Sequence, residues 1–170
     1  MTRQFCTVFD IRLYPIYVLL FLFLLVIKAA EAKEVIGRVE RVGINNAALI
    51  LYAKIDTGAK NSSLNATNYH LSKRGDEKWI RFDITNREGK TITLEKQITR
   101  FVKIKRKEAS TQQRPAILLD ICIGKVSKQV EVNLVNRSNF DFQMLIGRSF
   151  LRGDFIVDVE KSYTADPGCQ

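Results

Sequence analysis

Three consecutive residues, Asp56, Thr57 and Gly58, close the apolar stretch LILYAKI and open the polar stretch AKNSSLNA. Their types suit acid–base chemistry at a carbonyl. Two carboxylates at hydrogen-bonding distance cannot both ionise cheaply, so they share one proton. One then acts as base on a water while its protonated partner polarises the carbonyl under attack. Each aspartate needs a rigid seat. A strand end supplies it, a following hydroxyl bonds within the frame, and a glycine lets backbone approach without a Cβ in the way. By itself the triplet is weak evidence, since a chain of this length contains one by chance on the order of a few per cent of the time. It also reads as an ordinary strand-ending turn. A second element adds weight: MLIGRSFL at 144–151, where two apolar residues lead into Gly147 and Arg148 and then a short apolar turn.

The elements that must hold these residues follow a two-residue period. Ile80, Phe82 and Ile84 share one face of WIRFDI, with Trp79, Arg81 and Asp83 on the other. In QVEVNLV, Val130, Val132 and Leu134 oppose Gln129, Glu131 and Asn133. Ile117, Leu119, Ile121 and Ile123 give a further strand, joined through GKVSK to the Val130 strand as a hairpin. TNREGK at 85–90 links the Ile80 strand to TITLEK in the same way, and Phe155, Val157 and Val159 alternate near the end. No long segment carries a capped 3.6-residue apolar period. The expectation is a mainly β domain, a compact barrel or sandwich, with one short helix around Ser149 to Arg152.

Bulk properties allow one core. The chain has 170 residues, 46% hydrophobic and 26% charged. Arg3 and Arg12 precede the unbroken apolar run from Ile16 to Ile27, and Ala30 and Ala32 then stand in the spacing that signal peptidase reads. The run is shorter than the roughly 20 residues a membrane span needs. Residues 1–32 are therefore read as a signal peptide, with a retained membrane anchor as the alternative; residues 33–163 form the domain and 164–170 a flexible tail. Either reading exports the domain, with the periplasm as its expected location. Removing three basic and two acidic residues with the segment takes the net charge from +9 to +8. That balance favours acidic peptides, lipid head groups or cell-wall polymers, and nucleic acid only where the charge forms a patch. The one tight cluster, KIKRK at 103–107, reads as a solvated strand end or loop. A Cys122–Cys169 bridge is conceivable in an oxidising compartment, but a buried free thiol and a frayed tail are the blander expectation.

Other chemistries lack their residues. His70 is the only histidine, there is no H-E-x-x-H, and His70, Cys122 and Cys169 lack zinc-ligand spacing. No G-x-x-x-x-G-K-[ST] loop is present to cradle ATP, and no G-x-S-x-G is present for acyl transfer. Hence no metal or cofactor is expected. His70 reads as a surface residue, and Ser62 and Ser63 as residues that shape the turn.

Taken together, AKIDTGAKNSSLNA, RPAILLDICIG and NRSNFDFQMLIGRSFLRGDFIVDVEKSY resemble the retropepsin-like aspartic proteases. The match is closer to the bacterial branch commonly labelled ATP-dependent zinc proteases and extends over roughly Val35 to Tyr163. The resemblance implies a mainly β, single-lobed, closed retropepsin-like barrel with one short C-terminal helix. It makes Asp56 the catalytic carboxylate, Thr57, Gly58 and Ala59 the active-site frame, and Gly147 and Arg148 its structural support. Retroviral members carry acidic residues soon after the glycine that can pair with this arginine, whereas Ala59, Lys60 and Asn61 follow here, so the partner of Arg148 is open. Bacterial members often have His where Asn65 stands. Since the chain has one such aspartate and no Asp-Ser-Gly, the second carboxylate must come from another copy across a two-fold axis, giving a C2 homodimer that acts on a protein or peptide. A flap is expected from residues 85–91 or, second, 105–114. The alternatives are a non-catalytic binding module on the same fold and a basic domain for nucleic acid or cell-wall polymer.

Overall fold

The computed structural model describes residues 32–104 and 112–169. In chain order the strands are β1 (Glu34–Gly37), β2 (Val39–Ile44), β3 (Leu49–Ile55), β4 (Ser62–Asn65), β5 (Thr67–Arg74), β6 (Glu77–Thr85), β7 (Thr91–Ile104), β8 (Gln112–Ile123), β9 (Val126–Val135) and β10 (Met144–Ile146). A one-turn helix α1 (Arg148–Leu151) and strand β11 (Phe155–Asp158) follow. The apolar N-terminal run lies outside the described residues.

Strands β2, β3, β10, β4, β9 and β8 pair in that order, and β2 closes the ring on β8 through Gly43↔Cys122 and Ile44↔Ile121. This is a six-stranded closed β-barrel with one short helix, the retropepsin-like fold expected. The alternation in the sequence determines which side faces in. Leu49, Leu51, Ala53 and Ile55 of β3 and Ile117, Leu119, Ile121 and Ile123 of β8 all enter the core, while Leu118 between them stays out. Beyond β8 the sheet continues through β7 and β6 to β5, and Ile80, Phe82 and Ile84 join the same core. The expected hairpins β6–β7 and β8–β9 are both present. At the β8–β9 turn Gly124 has φ +54°, a left-handed conformation that favours glycine. The edge strand β5 leaves Tyr69, His70 and Leu71 exposed, which places His70 on the surface.

Three expectations need correction. Val159 does not extend β11, which ends at Asp158. The Asp158 carboxylate accepts the Glu160 N–H and pairs with Lys161, turning the chain, and Val159 is left exposed. Residues 160–169 are no frayed tail: they form a strap across β1 and β2. Tyr163 N–H bonds Val39 O, Gly168 N–H bonds Gly124 O, and Arg41 pairs with Asp166. The fully buried Glu40 carboxylate accepts from the N–H groups of Gly37, Thr164 and Ala165 and from the Thr164 hydroxyl. The third correction concerns the thiols, since Cys122 and Cys169 form a disulfide with Cα atoms 5.8 Å apart. Gly43 makes room for it, because a Cβ there would lie 2.5 Å from Cys169 Sγ and 2.9 Å from Cys122 Sγ. The strap was hidden in the sequence because its contacts, mostly main-chain groups with one carboxylate, one ion pair and one disulfide, are distant in sequence and leave no periodic trace.

Candidate active site

Ile55 is the last core residue of β3, and its pairing with Ile146 of β10 carries both strands to the same end of the barrel. There the Asp56 N–H bonds Ile146 O at 2.8 Å and the chain leaves the sheet. Asp56 Oδ1 accepts from the N–H groups of Gly58 (3.0 Å) and Ala59 (3.2 Å), so the loop folds around its own carboxylate. Oδ2 has no hydrogen-bond partner among the described residues. A Cβ on Gly58 would lie 3.3 Å from Oδ1, a contact tight enough to disturb this arrangement.

The rest of the loop is held from the other motif. Arg148 Nη1 donates to Thr57 O (2.8 Å) and Gly58 O (2.7 Å), Arg148 N–H to Ala59 O (3.0 Å), and Ser149 N–H to Lys60 O (2.9 Å). Four successive carbonyls thus find partners at the first turn of α1, whose N–H groups are otherwise unsatisfied. The open partner of Arg148 is the loop backbone. Gly147 permits the approach, because a Cβ there would lie 2.6–2.9 Å from the backbone of Lys60 and Asn61. Ser62 Oγ, buried, accepts the Gly147 N–H at 3.1 Å, which gives that hydroxyl the turn-shaping role expected of it. Asp56, Thr57, Gly58, Ala59, Gly147 and Arg148 are therefore one assembly.

Thr57 and Gly58 are exposed, and the Thr57 hydroxyl has no partner among the described residues. Beside them Lys33, Thr57, Arg148, Leu151, Arg152, Phe155 and Val157 line an open depression of about 490 Å³. The turn at 85–91 is remote from all of this. Lys90 Nζ bonds Ala48 O at the opposite end of β3, and the Arg87 guanidinium lies 4.8 Å from the ring centroid of Tyr52, midway along that strand. A seven-residue strand spans about 20 Å, so this turn does not cover Asp56. Of the second flap candidate, 105–114, residues 105–111 lie outside the described residues.

Several residues near the loop were missed by motif reading. Register sets Leu145, Ser63, Asn133, Ala116 and Arg100 side by side across β10, β4, β9, β8 and β7, on the face away from the core. Asn133 Oδ1 is buried there without a partner among the described residues. Arg137, held by its N–H to Asn65 Oδ1 and by Nε to Phe142 O, stands near Arg114 and within electrostatic reach of Asp56. Burial pushes the Arg137 pKa down, Arg114 adds to that, and the Asp56 charge opposes it. Glu131 accepts from Arg100 and Asn61. Strand alternation puts Glu131 and Asn133 on the face opposite the core residues, with no sign that they gather at one end with Arg100, and Arg137 lies in the loop after β9, where no periodicity marks it. Among the described residues no cluster of His, Cys, Asp and Glu could hold a metal ion.

A closed barrel whose Asp-Thr-Gly loop is buttressed by Gly-Arg at a one-turn helix defines a single-lobed retropepsin-like domain. Residues 35–168 match the family described as "RimB-like: Retropepsin-like aspartic endopeptidase RimB", and the chain belongs to that family. It is 30% identical over 114 residues to a protein of Shewanella pealeana named "Probable alpha-L-glutamate ligase", covering 65% of this chain and 25% of that one. A Desulfotalea psychrophila protein of the same name is 27% identical over 136 residues, covering 75% and 28%. The chain thus spans about a quarter of the curated relatives it matches. The crystal structure of a Legionella pneumophila protein of unknown function superimposes with a TM-score of 0.68 at 30% identity, covering 78% of this chain and 98% of that one.

Proposed function

We propose that the chain is an exported aspartic endopeptidase whose catalytic dyad forms when two copies each contribute Asp56 across a two-fold axis. The observation that carries this reading is the exposed loop itself. Its backbone is pinned at every carbonyl from Thr57 to Lys60, while Asp56 Oδ2 and the Thr57 hydroxyl have no partner among the described residues. Rigid support behind and unsatisfied groups in front suit a half-site that a second half-site completes. In the dimer one Asp56 takes a proton from water while the other, protonated, polarises the scissile carbonyl.

Acidic peptides are the proposed substrates. Arg137, with Arg114 beside it, stands within electrostatic reach of Asp56, the exported domain carries +8, and the relatives named alpha-L-glutamate ligases make glutamate-rich chains a natural candidate. Export rests on the apolar N-terminal run and on the disulfide, which an oxidising compartment maintains.

The test is sedimentation of residues 33–170 alongside digestion of a mixed peptide library. A dimer that cleaves acidic peptides, with cleavage abolished in Asp56→Asn at unchanged melting temperature, is the expected result. Equal activity of the variant defeats the reading. A stable monomer that binds peptide without cutting it favours the binding module instead.

A further inference from the structure

Behind the Asp56 loop lies a polar chain that takes no direct part in the proposed hydrolysis. On β9, Val132 and Leu134 enter the core, so Glu131 and Asn133 project from the opposite face. The Glu131 carboxylate accepts a two-pronged bond from Arg100, with Nε to Oε2 at 2.9 Å and Nη2 to Oε1 at 2.5 Å. It also accepts from Asn61 Nδ2 at 2.9 Å and from Thr99 Oγ1 at 3.3 Å. Arg100 holds the carboxyl below the ordinary glutamate range, partial burial works against this, and the nearby Lys60 charge adds to it.

An exposed ion pair usually contributes little to stability because water competes for both partners. Glu131 differs in sharing one oxygen, Oε1, between Arg100 and Asn61. Asn61 ends the catalytic loop: its main-chain carbonyl packs where a Cβ on Gly147 would be, directly after the four carbonyls bonded by Arg148 and Ser149. The loop is therefore gripped twice, at its carbonyls by α1 and at its last side chain by a fork of β9 and β7. The first grip belongs to the two sequence motifs. The second belongs to neither.

We propose that Glu131 is a positioning residue for the Asp56 loop. Braced by Arg100, it fixes Asn61 and so sets how the Gly58 and Ala59 N–H groups meet Asp56 Oδ1. Its catalytic meaning rests on the endopeptidase reading, but the positioning itself has a readout that needs no turnover.

The experiment compares the full chain as wild type, Glu131→Ala and Glu131→Gln by amide hydrogen exchange, with cleavage of a quenched glutamate-rich peptide run in parallel. In Glu131→Ala the Gly58 and Ala59 amides should exchange on the order of tenfold faster, as expected for loss of a charge-assisted bond. Leu119 and Ile121 in the β8–β9 ladder should be unchanged. Glu131→Gln, which keeps an oxygen for Asn61, should restore most of the protection. With an active wild type, kcat in Glu131→Ala should fall on the order of tenfold while KM stays within about twofold. Unchanged exchange at Gly58 and Ala59, or equal acceleration throughout β8, overturns the proposal, as does an unaltered kcat. If the wild type cleaves nothing, the endopeptidase reading fails separately, and exchange still decides the role of Glu131.

Discussion

The molecule holds two stretches of irregular backbone by different means. The Asp56 loop is secured wholly by hydrogen bonds, many from main-chain N–H groups and one guanidinium, and it leaves Thr57 and Gly58 facing outward. The strap at 160–169 is secured by a disulfide, a fully buried carboxylate and an ion pair, and it leaves Ala165 almost wholly inside. The difference follows from what each segment must keep available. A loop that presents a carboxylate cannot be buried, so it is fixed by geometry from behind. The strap presents nothing and can be fastened shut. Local rigidity in this fold thus comes from directional bonds where chemistry is expected and from covalent closure where it is not.

If that contrast is right, breaking one fastening should leave the other intact. The largest effect on stability should come from Cys169→Ser, which removes the covalent closure and costs about 2–4 kcal/mol. Chemical denaturation measures the loss, and hydrogen exchange should show freed amides at Tyr163 and Gly168 with Gly58 and Ala59 unchanged. Arg148→Ala should act in the opposite place. Two carbonyls lose their donor, the loop amides exchange faster, and stability falls by about 1–2 kcal/mol with the strap untouched. Simultaneous loosening of strap and loop in either variant would show that the two are one cooperative unit. The smallest effect concerns pH. Arg100 holds the Glu131 carboxyl below the ordinary glutamate value of 4.5, which the unfolded chain keeps. Its contribution is therefore fully present above that unfolded value and is lost as pH falls through the lower folded one. Because Arg100 is half exposed, the loss should be no more than about 1 kcal/mol, seen as a flatter acid limb of stability in Glu131→Gln than in wild type.

Much of the barrel was legible because burial in a strand repeats every second residue. Ile80, Phe82, Ile84 and the β8 isoleucines announce their faces directly, and the hairpins follow from the polar turns between them. The site was legible only where two motifs constrain it. Asp56 to Ala59 and Gly147 to Arg148 are both in the sequence, but that Arg148 binds the carbonyls of Thr57 and Gly58 is a fact of distance, and residue types do not encode main-chain acceptors. Glu131 and Arg137 were invisible for a related reason. Glu131, a polar residue on an outward strand face, looks the same whether it meets water or braces a loop, and Arg137 sits in the loop after β9, where no periodicity points to a role. The strap was missed because the sequence places its contacts far from their partners, and because a penultimate cysteine reads as readily as a loose thiol.

The pairing of β1 with β11 has a temporal consequence. These two strands bond in parallel to one another, and the strap that follows β11 supplies most of the donors for Glu40 and the sulfur that seats against Gly43. Strand β1 and the Glu40 carboxylate therefore depend on partners more than a hundred residues away, contacts of high sequence separation that are slow to form. The small β1–β11 sheet and the buried acid beside it are thus completed only by residues from the far end of the domain.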